Sequence, residues 1–242
     1  MIVATVNVKL IPMEADPSGE AAVRRFTADE AIRMVEEGIV GEDEHYELLE
    51  GKLVDADPTT GDEIIRRFTG DEAIRLVETG IVGEDEHVEL LEGALVEMSP
   101  QGPEHASAIS MLADRLRETY RGRAHVREEK PVSIGPYSLP EPDIAVVRGN
   151  TKNYARRHPV GAECILVVET AFSSQRIDRR KGRIYAAGGV EVYWLIDVVG
   201  RKLELWTAPV DGAYRVIRTL DADDVVELPE SSERWLVREL FV

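Results

Sequence analysis

Two short stretches of this chain are apolar at every position, Ile144-Ala-Val-Val147 and Ile165-Leu-Val-Val168. A strand covered on both faces is hydrophobic throughout rather than alternating, so both stretches predict buried strands. A third, more interrupted strand is predicted over Val126–Ile134, ahead of a turn at Gly135-Pro136. Glu191–Asp197 and Lys202–Trp206 predict a hairpin around Gly200, with further strands near Tyr214–Leu220 and Val225–Leu228 and a closing tail at Trp235–Val242. Helical spacing places Ile109, Leu112, Ala113 and Leu116 on one face of a helix over Glu104–Tyr120. A second helix is predicted from Arg176 to Ala187, ended by Gly188-Gly189, and the polar, basic link Arg148–Gly161 is expected to be mobile. Helices alternating with strands predict the α/β class, a mixed sheet flanked by helices.

The first hundred residues follow a different rule, a repeat at an offset of 42. Arg24–Pro58 and Arg66–Pro100 are identical at 27 of 35 positions, which indicates a recent tandem duplication. Thr27-Ala-Asp-Glu30 and Thr69-Gly-Asp-Glu72 have the form of capping boxes, each opening a short helix that Gly38 or Gly80 ends. Ala31, Ile32 and Val35, and then Ala73, Ile74 and Val77, are the expected apolar stripes. Tyr46–Val54 and Val88–Val96 predict hairpins with Glu-Gly at the bend. Since only the second copy runs straight into the α/β series, residues 1–65 are expected to be an accessory segment and 66–242 the main domain. The accessory copy is expected to pack on an edge of that domain, to exchange with a partner subunit, or to compete for the same place.

Charge sharpens this division. Of the net −17, residues 1–105 carry 26 acidic against 8 basic side chains, and residues 106–242 carry 20 against 21. The acidity belongs to the repeat, and the neutral remainder contains one basic cluster, Arg176, Arg179, Arg180, Lys181 and Arg183. Such a cluster neutralises phosphates or forms a solvated helix face. A single cysteine, Cys164, excludes an internal disulfide, suits a reducing cytoplasm and reads as a small buried hydrophobe. The N-terminus lacks the basic start and apolar core of a signal peptide, and no run approaches the ~18 apolar residues of a membrane span.

Against this background two carboxylates stand in costly places. Asp143 opens one apolar strand and Glu169 closes the other. An ionised carboxylate beside a buried strand needs compensation, and a divalent cation such as Mg2+ is the usual compensator. A metal-dependent hydrolytic site is the leading expectation. Histidine 105, near a helix start, reads as a capping or packing residue, and no Cys/His spacing suggests zinc.

Helix, three strands, helix, strand, with Pro142-Asp143 on the second strand and Glu169 on the third, resembles the PD-(D/E)XK nuclease core. More closely, about Phe68 to Trp206 resembles the Uma2 family (formerly DUF820) of restriction-endonuclease-like proteins. The matching pieces are Glu89-Leu-Leu-Glu-Gly93, Met98-Ser-Pro100, His105, Pro142-Asp143, Val168-Glu169, Ser173-Ser174, Asp178, Lys181, Tyr185 and Gly189–Trp194. The resemblance implies a restriction-endonuclease-like fold and a Mg2+- or Mn2+-dependent endonuclease acting on nucleic acid, DNA before RNA. It implies that Asp143 and Glu169 hold the metal and that Glu89 completes the acidic set. A lysine two residues after the glutamate is usual in the superfamily, but position 171 is alanine. Lys181 is the expected substitute, oriented by Asp178, with Arg176, Arg179, Arg180 and Arg183 contacting nucleic acid. Related nucleases often pair active sites across two strands, which makes a homodimer an expectation. The alternative is a non-catalytic interaction module with a degenerate nuclease core, whose acidic arm mimics or repels nucleic acid.

Overall fold

Each copy of the repeat starts its helix by the same device. The Thr27 hydroxyl accepts from the Glu30 N–H while the Glu30 carboxylate accepts from the Thr27 N–H, and Thr69 and Glu72 do the same. In this computed structural model, which describes residues 8–9, 22–41, 44–56, 63–172 and 175–241, the chain divides into two compact units. Residues 1–99 with 136–138 form the first, and 100–135 with 139–242 form the second. Ser173-Ser174 and most of the first ten residues lie outside the described residues.

The first unit runs β1 (Val8–Lys9), α1 (Ala28–Glu36), β2 (Glu47–Leu49), β3 (Lys52–Ala56), β4 (Glu63–Ile65), α2 (Gly70–Glu78), β5 (Val88–Leu91) and β6 (Ala94–Glu97). Strands β1 to β4 form a sheet in sequence order, and β5 pairs with β6. Both hairpins turn on Glu-Gly in the left-handed region, Glu50 and Gly51 at φ 50° and 75°, Glu92 and Gly93 at 53° and 90°. Two successive positive φ values are the signature of the tight turn that follows strand twist. The apolar stripes differ from expectation. Ala31 and Met34, then Ala73 and Leu76, are buried, whereas Ile32 and Val77 are exposed. Three-residue spacing aligns Ala31 with Met34 on the covered face, and Ile32 turns away from it.

The second unit runs α3 (Pro103–Thr119), β7 (Ala124–Glu128), β8 (Ile144–Arg148), β9 (Cys164–Ala171), α4 (Gln175–Ala187), β10 (Val192–Asp197), β11 (Lys202–Val210), β12 (Ala213–Leu220), β13 (Val225–Glu227) and β14 (Arg234–Leu236). Its sheet has the order β12-β11-β10-β9-β8-β7, with β9 and β10 parallel and the other neighbours antiparallel. A parallel pair needs a crossover, and α4 supplies it. This is the expected mixed sheet flanked by helices. Strand β7 stops at Glu128 rather than continuing to Ile134, because Glu129 takes a left-handed φ of 47° and Pro131 has no N–H to donate. The Arg148–Gly161 link contains a 3-10 turn at Thr151–Tyr154, capped by Asn150.

Side-chain alternation sorts the sheet into two faces. Ile144, Val146, Leu166, Val168, Trp194 and Ile196 pack with Ile109, Leu112 and Leu116 of α3. Helix α4 lies over β9 to β12 on the other side, where Tyr185, Tyr193, Trp206 and Tyr214 form a chain of ring contacts at 5.3–6.3 Å. Cys164 is buried, which pushes its thiol up to about 12, so it is the inert hydrophobe that its place in the strand predicts. Among the described residues no helix is long and apolar enough to cross a membrane.

Gly182 lets α4 approach this face. A Cβ there would stand 2.9 Å from the Trp206 ring and 3.1 Å from the Tyr193 ring. Gly182→Val is therefore expected to cost about 1–3 kcal/mol through overpacking, read as a lowered urea midpoint with an unchanged slope.

Candidate active site

Strand register brings the two acids together. Ile144 stands opposite Val168, so the next positions outward, Asp143 and Glu169, lie at the same end of β8 and β9. That end is reached from one side by the start of α3 and from the other by α4, and it carries two hydrogen-bonded clusters.

The first surrounds Asp143. Its Oδ2 accepts from the Thr170 N–H at 2.6 Å and from the Thr170 hydroxyl at 2.5 Å. His105 Nε2, on the first turn of α3, lies 3.2 Å from the same oxygen and 2.9 Å from Thr170 Oγ1. A carboxylate oxygen can only accept, so Nε2 carries its hydrogen. The hydrogen bond to Asp143 holds the His105 imidazolium above its ordinary pKa, against the opposing effect of burial. The ring also stacks on Phe172 at 5.3 Å. Oδ1 of Asp143 keeps no hydrogen-bond partner among the described residues.

The second cluster surrounds Glu169, 3% exposed. Lys181, 2% exposed, donates to its Oε1 at 3.0 Å, and the Tyr185 hydroxyl donates to the same oxygen at 2.7 Å. Lys181 and Tyr185 are four residues apart and so share a face of α4, which aims both at β9. Asp178, one turn earlier, is also buried, and its main-chain carbonyl accepts from the Tyr193 hydroxyl at 2.9 Å. Burial, with the charges of Glu169 and Asp178, raises that phenol well above its ordinary range.

The structure thus gathers Asp143, Glu169, Asp178 and Lys181 around the ends of β8 and β9 and the start of α4. Arg176, Arg179, Arg180 and Arg183 lie on the exposed side of the same helix, with Arg179 paired to Glu204 at 2.5 Å. Glu89 belongs to β5 of the first unit and is buried, although Glu47, its counterpart in an identical Glu-Leu-Leu-Glu-Gly hairpin, is exposed. Sequence reasoning missed Thr170 and treated His105 as a packing residue. The available signals were a hydroxyl ending an apolar strand and a histidine two residues after a helix-starting proline.

Among the described residues no group of three or more His, Cys, Asp or Glu is placed to hold a metal ion. Asp143 and Glu169 offer carboxylate oxygens, the donor type that a hard cation takes. Mg2+ is commonly held through one or two carboxylates, with waters and substrate phosphate filling the remaining positions. An all-protein cage does not fit.

The chain is similar to known proteins in sequence pattern and in fold. The Uma2 family model, described as "Putative restriction endonuclease", matches residues 72–238. The crystal structure of "a putative nuclease belonging to DUF820" from Anabaena variabilis ATCC 29413 resembles the chain with a TM-score of 0.60 at 19% identity, covering 72% of this chain and 97% of that one. At that identity the likeness concerns the fold. No curated protein matches the chain.

Removing Lys181 leaves the buried Glu169 carboxylate without its cation, so Lys181→Met is expected to cost roughly 3–5 kcal/mol in urea unfolding, much of it recovered in the Lys181→Met/Glu169→Gln double variant. His105 carries a second expectation. Its folded pKa is raised above the unfolded value of about 6.5, so its stabilisation is full below that pH and is lost as pH rises through the folded value. The stability difference between wild type and His105→Gln should therefore be larger at pH 5.5 than at pH 9, measured by urea unfolding at both.

Proposed function

Since the chain belongs to the Uma2 family, we propose that it is a divalent-metal-dependent endonuclease that hydrolyses phosphodiester bonds in nucleic acid, DNA in preference to RNA. The observation that carries this reading is the register that brings Asp143 and Glu169 to the same end of β8 and β9, with Lys181 donating to Glu169 from α4. The reading uses residues of the second unit alone. Asp143 and Glu169 would hold one or two Mg2+ or Mn2+ ions, which polarise the scissile phosphate and lower the pKa of a water.

The chain's own groups have distinct tasks. His105 and Thr170 fix the Asp143 carboxylate through Oδ2 and leave Oδ1 for the ion. Tyr185 fixes Glu169 through Oε1. Lys181 supplies the positive charge that stabilises the pentavalent transition state, the task given in the wider superfamily to a lysine two residues after the glutamate. Here that position is Ala171, so the ammonium comes from the following helix. Asp178, three residues before Lys181, orients its side chain. Arg176, Arg180 and Arg183, exposed on α4, contact backbone phosphates, a sequence-independent and salt-sensitive attraction.

A cleavage panel of duplex and single-stranded DNA and RNA with Mg2+ and Mn2+ tests the reading. Asp143→Ala and Glu169→Gln should each lower the metal-dependent rate by at least about 100-fold, a loss of the size that removing one transition-state donor produces. Arg183→Ala should weaken binding uniformly across sequences and reduce the salt slope by about 1. Retained cleavage in both carboxylate variants refutes the assignment. If calorimetry detects no divalent binding and no substrate is cut, the chain is an interaction module with a degenerate core.

A further inference from the structure

The contacts between the two copies of the repeat come in pairs related by the 42-residue offset. The Arg24 N–H donates to Leu95 O, and the Arg66 N–H donates to Leu53 O, both at 2.8 Å. Arg24 Nε reaches Glu86 at 2.7 Å, and Arg66 Nε reaches Glu44 at 3.2 Å. The same guanidinium groups donate to Ile81 O and to Ile39 O, each at 3.2 Å. At the helix ends Arg33 donates to the carbonyls of Thr79 and Gly80, and Arg75 donates to those of Glu37 and Gly38. In every case a residue of the first copy touches the second copy where its own counterpart touches the first. The pair Phe26 and Phe68, counterparts of one another, meet with ring centroids 5.5 Å apart, as residues on an axis of symmetry do.

Crossed, reciprocal contacts about a self-contacting residue define an isologous interface, the kind that joins two identical subunits. Here both halves lie in one chain. We propose that the face joining the two copies is a self-association surface whose natural partner is a second copy of the same helix–hairpin unit, and that the duplication satisfies in cis what a single-copy chain would satisfy in trans. The first copy thereby occupies the position of a second subunit. The proposal is independent of the nuclease reading, since it concerns the first unit only.

Charge reversal in the full-length chain tests it. Arg24→Glu with Glu44→Arg alters the first copy alone, so both crossed pairs within the chain become repulsive, Glu against Glu86 and Arg against Arg66. The reversed copies of two chains are then complementary to each other, and so are the two unaltered second copies. Analytical ultracentrifugation should find an assembly of at least about twice the wild-type mass, with the circular dichroism of the wild type. Arg24→Glu with Glu86→Arg reverses one crossed pair across the copies, keeps it complementary in cis, and should retain the wild-type mass. The proposal is overturned if Arg24→Glu/Glu44→Arg keeps the wild-type mass, if it loses its fold while the other variant keeps it, or if both variants assemble alike.

Discussion

A lysine ammonium and a glutamate carboxylate held out of water set the conditions for the second unit. Lys181 and Glu169 are each almost fully buried, and each offsets the charge of the other. Their pairing fixes where α4 sits on the sheet, and α4 in turn carries the arginine face, the Tyr185 hydroxyl and the Gly182 contact with Trp206. A pair of apolar residues would hold the helix at least as well, so its energetic contribution does not explain its presence.

Charge has a different role in the first unit. Its large negative balance is organised around two nearly buried guanidinium groups, each shared between a glutamate of its own copy and one of the other. The hydrogen bond to Glu86 above all keeps Arg24 more firmly protonated than an exposed arginine, and Arg66 is raised in the same direction despite its burial. Arginine suits this place because its planar fork donates to two carboxylates and a carbonyl at once, which an ammonium does with less directional precision.

How far the sequence could be read followed from the range of the forces involved. Capping boxes at Thr27 and Thr69, Glu-Gly turns and the apolar strands at Ile144 and Ile165 are local patterns, and the structure matches them almost residue for residue. The β7 end was misjudged because a left-handed glutamate, Glu129, carries no sequence mark. The Asp143–His105–Thr170 cluster joins residues 38 and 27 positions apart in sequence through tertiary packing, which periodicity does not encode. Glu47 and Glu89 make the point most directly: identical pentapeptides fold into the same hairpin, and one glutamate is exposed while the other is buried.

Two like segments in one polypeptide differ from two identical subunits in what each can become. In a true symmetric pair every substitution arrives twice, once on each side, and a residue useful on one side must be tolerated on the other. A tethered pair escapes that restriction. The Arg66 guanidinium lies 5.4 Å from the Tyr46 ring, while the matching position beside Arg24 is Val88. An aromatic side chain in one half and an aliphatic one at the matching position of the other is a difference open only to halves that are encoded separately.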